Sequence, residues 1–364
     1  MNPHRHFDPH DVILAGTLRD GAGKRTSRAR GTLLAHPLRV FVLSPEPVPA
    51  ARCGDEEELP VVGGSFVVLG DLQPTSRLEA WRESNDPERA LIVERIARIR
   101  PDFVALLGDL VFCGSSRSAW AGFDALWAPV AAAHVPTFPV LGNHEYWMSR
   151  NAGLVQFFRR FPRLRGRRWY AAKYGPVGLV FLDSNRHALT GFLWETQIRW
   201  LNRTLARFDA SPEIRGVVVL LHHPPFTNST VTSDARHVQR QILPFFTAAE
   251  KTLAMIAGHV HSYEHFARGG KHYIVAGGGG GPRVRLAQGR RRRHVDDAFG
   301  GAAVRSFHFL RLTPSSEGLE ITVCGLEKGG GDFAPMERFR LSWPTAASDA
   351  GEVHAPSRVR AAIP

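Results

Sequence analysis

The feature that most constrains the fold is a series of short apolar runs that each stop at a polar residue. In the clearest case, residues 103–107 are followed at once by Gly108 and Asp109. An apolar run of this length is typical of a strand buried on both faces, and a glycine there permits a tight turn. Because open α/β sheets bind ligands beyond the carboxyl ends of their strands, we expect Asp109 to face a ligand. Taken alone, an Asp that caps the next turn explains Gly-Asp more simply, so the other runs decide.

Four further apolar runs end in the same way, at 65–69, 137–141, 216–221 and 252–257. The polar residues that follow them are Asp71, then Asn143 and His144, then His222 and His223, then His259 and His261. Helical periodicity lies between several of the runs. Strands that alternate with helices predict parallel strands whose carboxyl ends meet at one edge. The sequence therefore predicts that these scattered residues converge on one site.

Other segments complete the expected elements. We predict helices after the N-cap Asp86, at 118–133, after a cap at Asn151, at 194–208 and at 236–247. Strands at 169–174 and 177–182 form a hairpin about Gly175 and Pro176. Further strands are expected at 272–276, 304–312, 319–324 and 338–342.

The residue types at the strand ends indicate metal chemistry. Aspartate, asparagine and histidine are ligands suited to zinc, manganese and iron. Their number exceeds what one tetrahedral ion uses, so we expect two transition-metal ions that share a carboxylate. The chain has 17 histidines but only three cysteines, and it lacks a Cys-x-x-Cys motif. This composition argues against a disulfide framework and a thiolate zinc site.

Composition also divides the chain. Residues 1–60 are rich in Arg, Pro and Gly, and we interpret them as a partly disordered N-terminal extension with one strand near 39–43. Residues 61–343 form the predicted domain, and 344–364 form a polar tail. No apolar run reaches the roughly 20 residues of a membrane span. We expect a cytoplasmic protein, with export as the alternative.

The charge balance leaves two interpretations open. The formal net charge is +12, the sequence pI is about 10.4, and arginine supplies most of the positive charge. Four consecutive arginines, Arg290 to Arg293, lie in a predicted loop. A general arginine bias and a solvated surface explain these features, and so does contact with phosphate groups or nucleic acid.

Taken together, the motifs over roughly residues 65–312 resemble the calcineurin-like metallophosphoesterases, and within them the purple acid phosphatase branch. The matching blocks are Asp71-Leu72-Gln73, Gly108-Asp109, Gly142-Asn143-His144-Glu145, His222-His223-Pro224 and Gly258-His259-Val260-His261-Ser262-Tyr263-Glu264. Gln197, Trp200 and Leu201 match as well. The resemblance implies an α/β four-layer sandwich, with two β-sheets flanked by helices.

The resemblance also implies roles for individual residues. One metal would be held by Asp71, Asp109 and His261, and the other by Asp109, Asn143, His222 and His259. Asp109 would bridge the two ions, and His144 would be the catalytic proton donor to the leaving oxygen. Glu145, His223 and Tyr263 are candidates for supporting or substrate-contacting roles.

Two positions depart from the family pattern. Gln73 stands where the broad family has His and the purple branch has Gly, so it is a candidate ligand through its amide oxygen. Phe112 stands where the purple branch has a Tyr ligand, so we expect no purple charge-transfer colour.

The implied function is hydrolysis of phosphate esters by water that two metal ions activate, with phosphomonoesters favoured over the alternatives. One alternative is a phosphodiesterase or nuclease on the same metals, which the basic charge favours. Another is a degenerate member that serves as a non-catalytic binding scaffold, for which Gln73 is the main support. The expected partner is a small phosphate ester, with nucleic acid as the less favoured one.

Overall fold

Two β-sheets packed face to face form the centre of the computed structural model, which describes residues 57–62, 64–76, 79 and 81–344. The strand expected near 39–43, most of the N-terminal extension and the tail beyond residue 344 lie outside the described residues.

One sheet has seven strands in the order β1-β5-β6-β7-β8-β10-β9. Their bounds are Glu57–Leu59 (β1), Tyr170–Tyr174 (β5), Val177–Phe181 (β6), Gly216–Leu221 (β7), Thr252–Ala257 (β8), Tyr263–Arg268 (β9) and Lys271–Ala276 (β10). The strands β6, β7, β8 and β10 run parallel, whereas β5 and β9 pair antiparallel with β6 and β10.

The other sheet has six strands in the order β13-β12-β11-β2-β3-β4. Their bounds are Phe66–Leu69 (β2), Val104–Leu106 (β3), Thr137–Pro139 (β4), Phe307–Pro314 (β11), Gly318–Leu326 (β12) and Phe333–Ser342 (β13). Here β2, β3 and β4 are parallel neighbours, and β11, β12 and β13 add antiparallel strands beside β2.

Helices connect the strands. Their bounds are Asp86–Ile99 (α1), Arg117–Ala132 (α2), Arg150–Arg160 (α3), Gly191–Ala210 (α4), Arg236–Gln241 (α5) and Leu243–Ala248 (α6). None of the helices within the described residues combines the length and the apolar character that crossing a bilayer requires.

Alternating residues of a single strand supply two separate cores. In β7, Val218 and Leu220 belong to the large cluster shared with the six-stranded sheet, whereas Val219 and Leu221 pack in a second cluster with α4 residues such as Trp194. Successive strand residues point to opposite faces, so a strand covered on both sides reads as an unbroken apolar run. The predicted sandwich of two sheets flanked by helices is confirmed.

Some element boundaries differ from the predictions. Asn151 lies inside α3, whose N-cap is Ser149, since its hydroxyl accepts a hydrogen bond from Ala152 N. The helix expected at 236–247 is two short helices, α5 and α6. The helix begins at Asp86 itself, and Asn85 occupies the N-cap position.

Two strands were not predicted. The strand β9 begins directly after the 258–262 motif and buries the polar residues Glu264 and His265, so it lacks the apolar run of the other strands. The strand β1 lies within the segment interpreted as an extension and pairs in parallel with β5.

Candidate metal centre

The carboxyl ends of β2, β3 and β4 in one sheet and of β7 and β8 in the other carry the polar residues singled out above. Three of these residues have left-handed backbone: Asp71 (φ 64°), Asp109 (φ 53°) and His259 (φ 68°). This region is uncommon for residues other than glycine and costs about 1–3 kcal/mol each. Strained backbone at three strand ends is what would be expected where several side chains must point to one place.

Four donor atoms meet around His222. Its Nε2 lies 3.0 Å from Asn143 Oδ1, 3.1 Å from His259 Nδ1 and 3.3 Å from Asp109 Oδ2. The Nδ1–H of His222 donates to the carbonyl oxygen of Leu107 over 2.7 Å. This bond fixes the ring and turns Nε2 toward the other three atoms.

A second group meets around Asp71 and His261. Ligand atoms of Asp71, Asp109 and His261 all lie within 4.8 Å of one another, and all three residues are buried. His261 Nε2 is 3.4 Å from Asp71 Oδ1, while His261 Nδ1 donates to the carbonyl oxygen of Pro282 over 2.8 Å. As in His222, a hydrogen bond from Nδ1 to a backbone carbonyl orients the imidazole of His261.

Asp109 lies between the two groups. Its Oδ2 approaches His222 Nε2 on one side and the amide nitrogen of Gln73 at 3.5 Å on the other, and its Oδ1 accepts the backbone N–H of His144 over 2.9 Å. Burial alone would raise the pKa of Asp109, but the imidazoles of His222 and His144 lower it far below its usual range. Burial would likewise lower the pKa of His222, and the Asp109 carboxylate raises it to about 9.

Gln73 completes the second group. Its amide nitrogen lies 3.0 Å from His261 Nε2, and its Oε1 is buried without a hydrogen-bond partner among the described residues. The oxygen and nitrogen of a side-chain amide have nearly the same shape, so rotating the amide by half a turn brings Oε1 to His261 and Asp109. A buried amide oxygen without a hydrogen-bond partner can be satisfied by a bound cation. The carboxylate, amide and imidazole groups gathered here are also suitable ligands for a transition metal.

Glu145 supports the position of Asp109. Its carboxylate accepts the backbone N–H groups of Asp109 (2.9 Å), Leu110 (2.8 Å) and Gly142 (2.7 Å). Burial, together with the charge of Asp109, raises the pKa of Glu145 to about 7, whereas the three N–H donors favour the carboxylate. Glu145 therefore fixes the turns after β3 and β4.

His144 lies at the mouth of the site within an aromatic cluster. Its Nδ1 donates to the carbonyl oxygen of Phe112 over 2.6 Å, and its Nε2 is 3.9 Å from Asp109 Oδ2. The imidazole packs on Trp147, with ring centroids 4.1 Å apart, and Trp147 packs edge-on against Phe112 at 5.0 Å. Phe112 thus lines the site as an apolar wall.

Close backbone approach explains the glycines. A Cβ on Gly142 would collide with the carboxylate and the backbone nitrogen of Asp109. The five glycines at 277–281 pass along the same edge, where Gly279 N donates to Gly70 O over 2.9 Å and Gly281 N donates to Asp71 O over 2.8 Å. This segment ties β10 of one sheet to the end of β2 in the other.

Of the two other residues singled out in the sequence, His223 lies at the site and Tyr263 does not face it. The ligand nitrogens of His222, His223 and His259 all lie within 4.8 Å of one another, and His223 Nδ1 is 2.9 Å from Ser184 Oγ. Tyr263 is buried in β9, and its hydroxyl donates to Glu337 over 2.5 Å instead of facing the convergent side chains.

Sequence reasoning missed Ser184 as part of the site. Its hydroxyl accepts the backbone N–H groups of His222 (3.2 Å) and His223 (3.0 Å). The signal was present, because Ser184 directly follows the apolar run that ends at Asp183, yet serine is no characteristic metal ligand. Ser184 acts on the backbone that carries the imidazoles.

Known proteins show similarity to this chain in sequence and in structure. Purple acid phosphatase 1 of Ipomoea batatas is 24% identical over 246 residues, which is 63% of this chain and 46% of that protein. A purple acid phosphatase from yellow lupin (Lupinus luteus) seeds superimposes with a TM-score of 0.57 and 18% identity, covering 74% of this chain and 52% of that one. The chain therefore spans about half the length of these relatives.

Two other solved structures share the fold. GAP50, described as the anchor in the inner membrane complex of Plasmodium, superimposes with a TM-score of 0.57 and 15% identity over 78% of this chain and 90% of that one. A dimetal phosphatase from Danio rerio gives a TM-score of 0.51 and 18% identity over 77% and 98% of the two chains. The family profile described as calcineurin-like phosphoesterase matches residues 64–263, more than half of the sequence. The chain belongs to the calcineurin-like phosphoesterase family.

Proposed function

We propose that this chain is a binuclear metal-dependent phosphohydrolase that cleaves phosphate esters, with phosphomonoesters as its favoured substrates. The observation that supports this most is the meeting of two donor groups at one buried carboxylate, Asp109. Carboxylate, amide and imidazole donors on both sides of a shared carboxylate suit a pair of transition-metal ions.

Each ion has its own set of donors in this proposal. Asp71, Asp109 and His261 would hold one ion, with Gln73 as an additional oxygen donor. Asp109, Asn143, His222 and His259 would hold the second. Bound manganese, iron or zinc would lower the pKa of the attacking water and would stabilise the negative charge on the phosphoryl oxygens.

The remaining steps belong to side chains of this chain. His144 is held at Nδ1 by the Phe112 carbonyl, so its Nε2 faces the Asp109 side of the site. With Nδ1–H on the Phe112 carbonyl and a second proton on Nε2, the imidazolium form of His144 would donate the Nε2 proton to the oxygen of the departing alcohol and become the neutral Nδ1–H tautomer. Glu145 keeps Asp109 in position by accepting its backbone N–H.

The first test combines metal analysis with one substitution. The purified protein is expected to carry about two transition-metal ions per chain. Asp109→Asn should lower both metal content and turnover of p-nitrophenyl phosphate, the latter by roughly a hundredfold or more, since it removes the shared carboxylate. Asp332→Asn, at an exposed position far along the chain, is the matched control and should change neither. Full turnover by the Asp109 variant would refute the proposed mechanism.

Substrate comparison separates the competing functions. The net charge of +12 favours a phosphodiesterase or nuclease, so hydrolysis of a phosphomonoester, bis(p-nitrophenyl) phosphate and DNA should be measured side by side. The proposal predicts the highest kcat/KM with the monoester. Bound metal without turnover on any ester would instead support a binding scaffold, a role consistent with the fold likeness to GAP50, which is described as an anchor.

A further inference from the structure

A cavity lined by arginines lies outside the metal centre. A cavity of about 510 Å³ is formed by two segments, 228–230 and 285–293, and none of the proposed metal ligands or His144 lines it. Three arginines line this cavity: Arg285, Arg291 and Arg293. Its volume falls within the range of small-molecule pockets, roughly 300–1,000 Å³.

The walls of the cavity are held by hydrogen bonds. Ser229 pairs with Leu286 in an antiparallel bridge, and Ala287 N donates to Asn228 O over 2.8 Å. The Asn228 side chain donates to His294 O over 2.8 Å and accepts His294 N over 2.9 Å. Because the two segments are joined at both ends, the cavity exists before any ligand binds.

The three guanidinium groups differ in how they are held. Arg293 is fixed, since it donates to the carbonyl oxygens of Thr227, Ser229 and Thr232 over 2.7–2.8 Å. Its nearest described carboxylate, Asp234, is 4.0 Å away.

Arg285 and Arg291 form no ion pair with a carboxylate in the part of the chain that the structure describes. Arg285, Arg291 and Arg293 are all exposed, so an anion that enters the cavity from solvent would be attracted by all three charges. The guanidinium fork matches the oxygens of a phosphate group in two parallel hydrogen bonds.

The lining of the cavity argues against single-stranded nucleic acid as its ligand. It contains no aromatic side chain, whereas single-stranded nucleic acid is bound through aromatic residues on which bases stack.

The cavity is also close to the metal centre, because Val284, next to Arg285, donates its N–H to the carbonyl oxygen of His261 over 3.2 Å. We propose that the cavity lined by Arg285, Arg291 and Arg293 binds a phosphate group separately from the metal centre. This group belongs either to free inorganic phosphate or to a substrate that carries two phosphates; only the substrate version rests on the proposed function.

The test removes the two unpaired arginines and leaves the fixed Arg293 in place. Binding of inorganic phosphate to the full, metal-loaded chain is measured by calorimetry for the unaltered protein and for the double variant Arg285→Ala, Arg291→Ala. We expect the double variant to lose one class of phosphate site or to bind it roughly tenfold more weakly or worse. The matched control is Arg290→Ala, which removes an exposed arginine of the same run that does not line the cavity. It should bind phosphate like the unaltered chain.

A kinetic comparison distinguishes the two sources of phosphate. If the cavity takes the distal phosphate of a substrate, the double variant raises KM for fructose 1,6-bisphosphate but not for fructose 6-phosphate. If it takes free phosphate, both KM values stay unchanged while phosphate binding weakens.

Equal phosphate binding by the unaltered chain, the control and the double variant would overturn the inference, as would arginine-dependent binding of a DNA oligonucleotide alone. Loss of a phosphate site in a protein that hydrolyses no ester would retain the inference while refuting the proposed function.

Discussion

At the scale of single residues, the site depends on backbone carbonyls that orient three imidazoles by accepting hydrogen bonds from the ring nitrogen that points away from the site. Leu107 holds His222, Pro282 holds His261, and Phe112 holds His144, each through the ring Nδ1. For His222 and His261 the hydrogen bond favours the tautomer with Nε2 free to bind a metal, and for His144 it orients the ring so that Nε2 faces the site. The same geometry gives His144 a role that can be separated from metal binding, because its Nε2 is 3.9 Å from the nearest oxygen of Asp109.

Replacing His144 should therefore impair proton donation while metal content is kept. His144→Gln is expected to lower kcat by about 10²–10⁴-fold, the usual effect of removing a general acid. The loss should be larger for an alkyl phosphate than for p-nitrophenyl phosphate, because a nitrophenolate leaves without a proton. Steady-state kinetics on both esters, with metal analysis, measure this. The control His187→Gln alters an exposed imidazole, and an equal loss on both esters would argue against proton donation.

At the scale of elements, the sequence predicted the strands that are covered on both faces, together with the polar residues at their ends. The runs that became β2, β3, β7 and β8 were apparent because every residue in these strands is buried, and in β7 alternating residues feed two apolar cores. By contrast, β9 escaped prediction since it buries Glu264 and His265, whose hydrogen bonds to Thr227 and Glu337 exist only in the folded chain. Tertiary contacts of this kind leave no periodic pattern in the sequence.

The corrected start of α3 gives a test at this scale. Ser149→Ala removes the hydroxyl that accepts the Ala152 N–H and should lower the free energy of unfolding by roughly 0.5–2 kcal/mol. Asn151→Ala, at an exposed position inside the same helix, should leave it nearly unchanged. Urea unfolding of the two variants measures the difference. A larger loss for the Asn151 variant would restore the cap that the sequence alone had predicted.

At the scale of the whole molecule, the glycines at 277–281 join the two sheets at the site. Gly70 N donates to Ala276 O over 3.0 Å, and His308 N on β11 donates to Gly278 O over 2.9 Å. His308 is fully buried there, and its Nε2 has no partner among the described residues. Burial, together with the positive charge of Arg305, lowers the pKa of His308 to about 4, although a hydrogen bond to Ser306 O opposes this.

This lowered pKa predicts how stability depends on pH. Between the unfolded pKa of 6.5 and about 4, the unfolded chain binds a proton that the folded chain refuses, so stability is full above 6.5 and falls as the pH decreases. The contribution of His308 between pH 7 and 4.5 is about 2–3 kcal/mol. His308→Asn should thus lose that much less stability than the unaltered chain over this interval, as measured by urea unfolding. His187→Asn is the exposed control, and parallel curves for all three proteins would contradict the prediction.

The left-handed backbone at Asp71, Asp109 and His259 limits how far this centre can be transplanted. A designer who copied only the side-chain identities onto ordinary strand-to-helix turns would aim the three Cα–Cβ bonds elsewhere. The host scaffold would have to reproduce the unusual torsion angles and the glycines that make room for them. In this protein the position of each of these side chains depends on the backbone torsion angles as much as on the residue type.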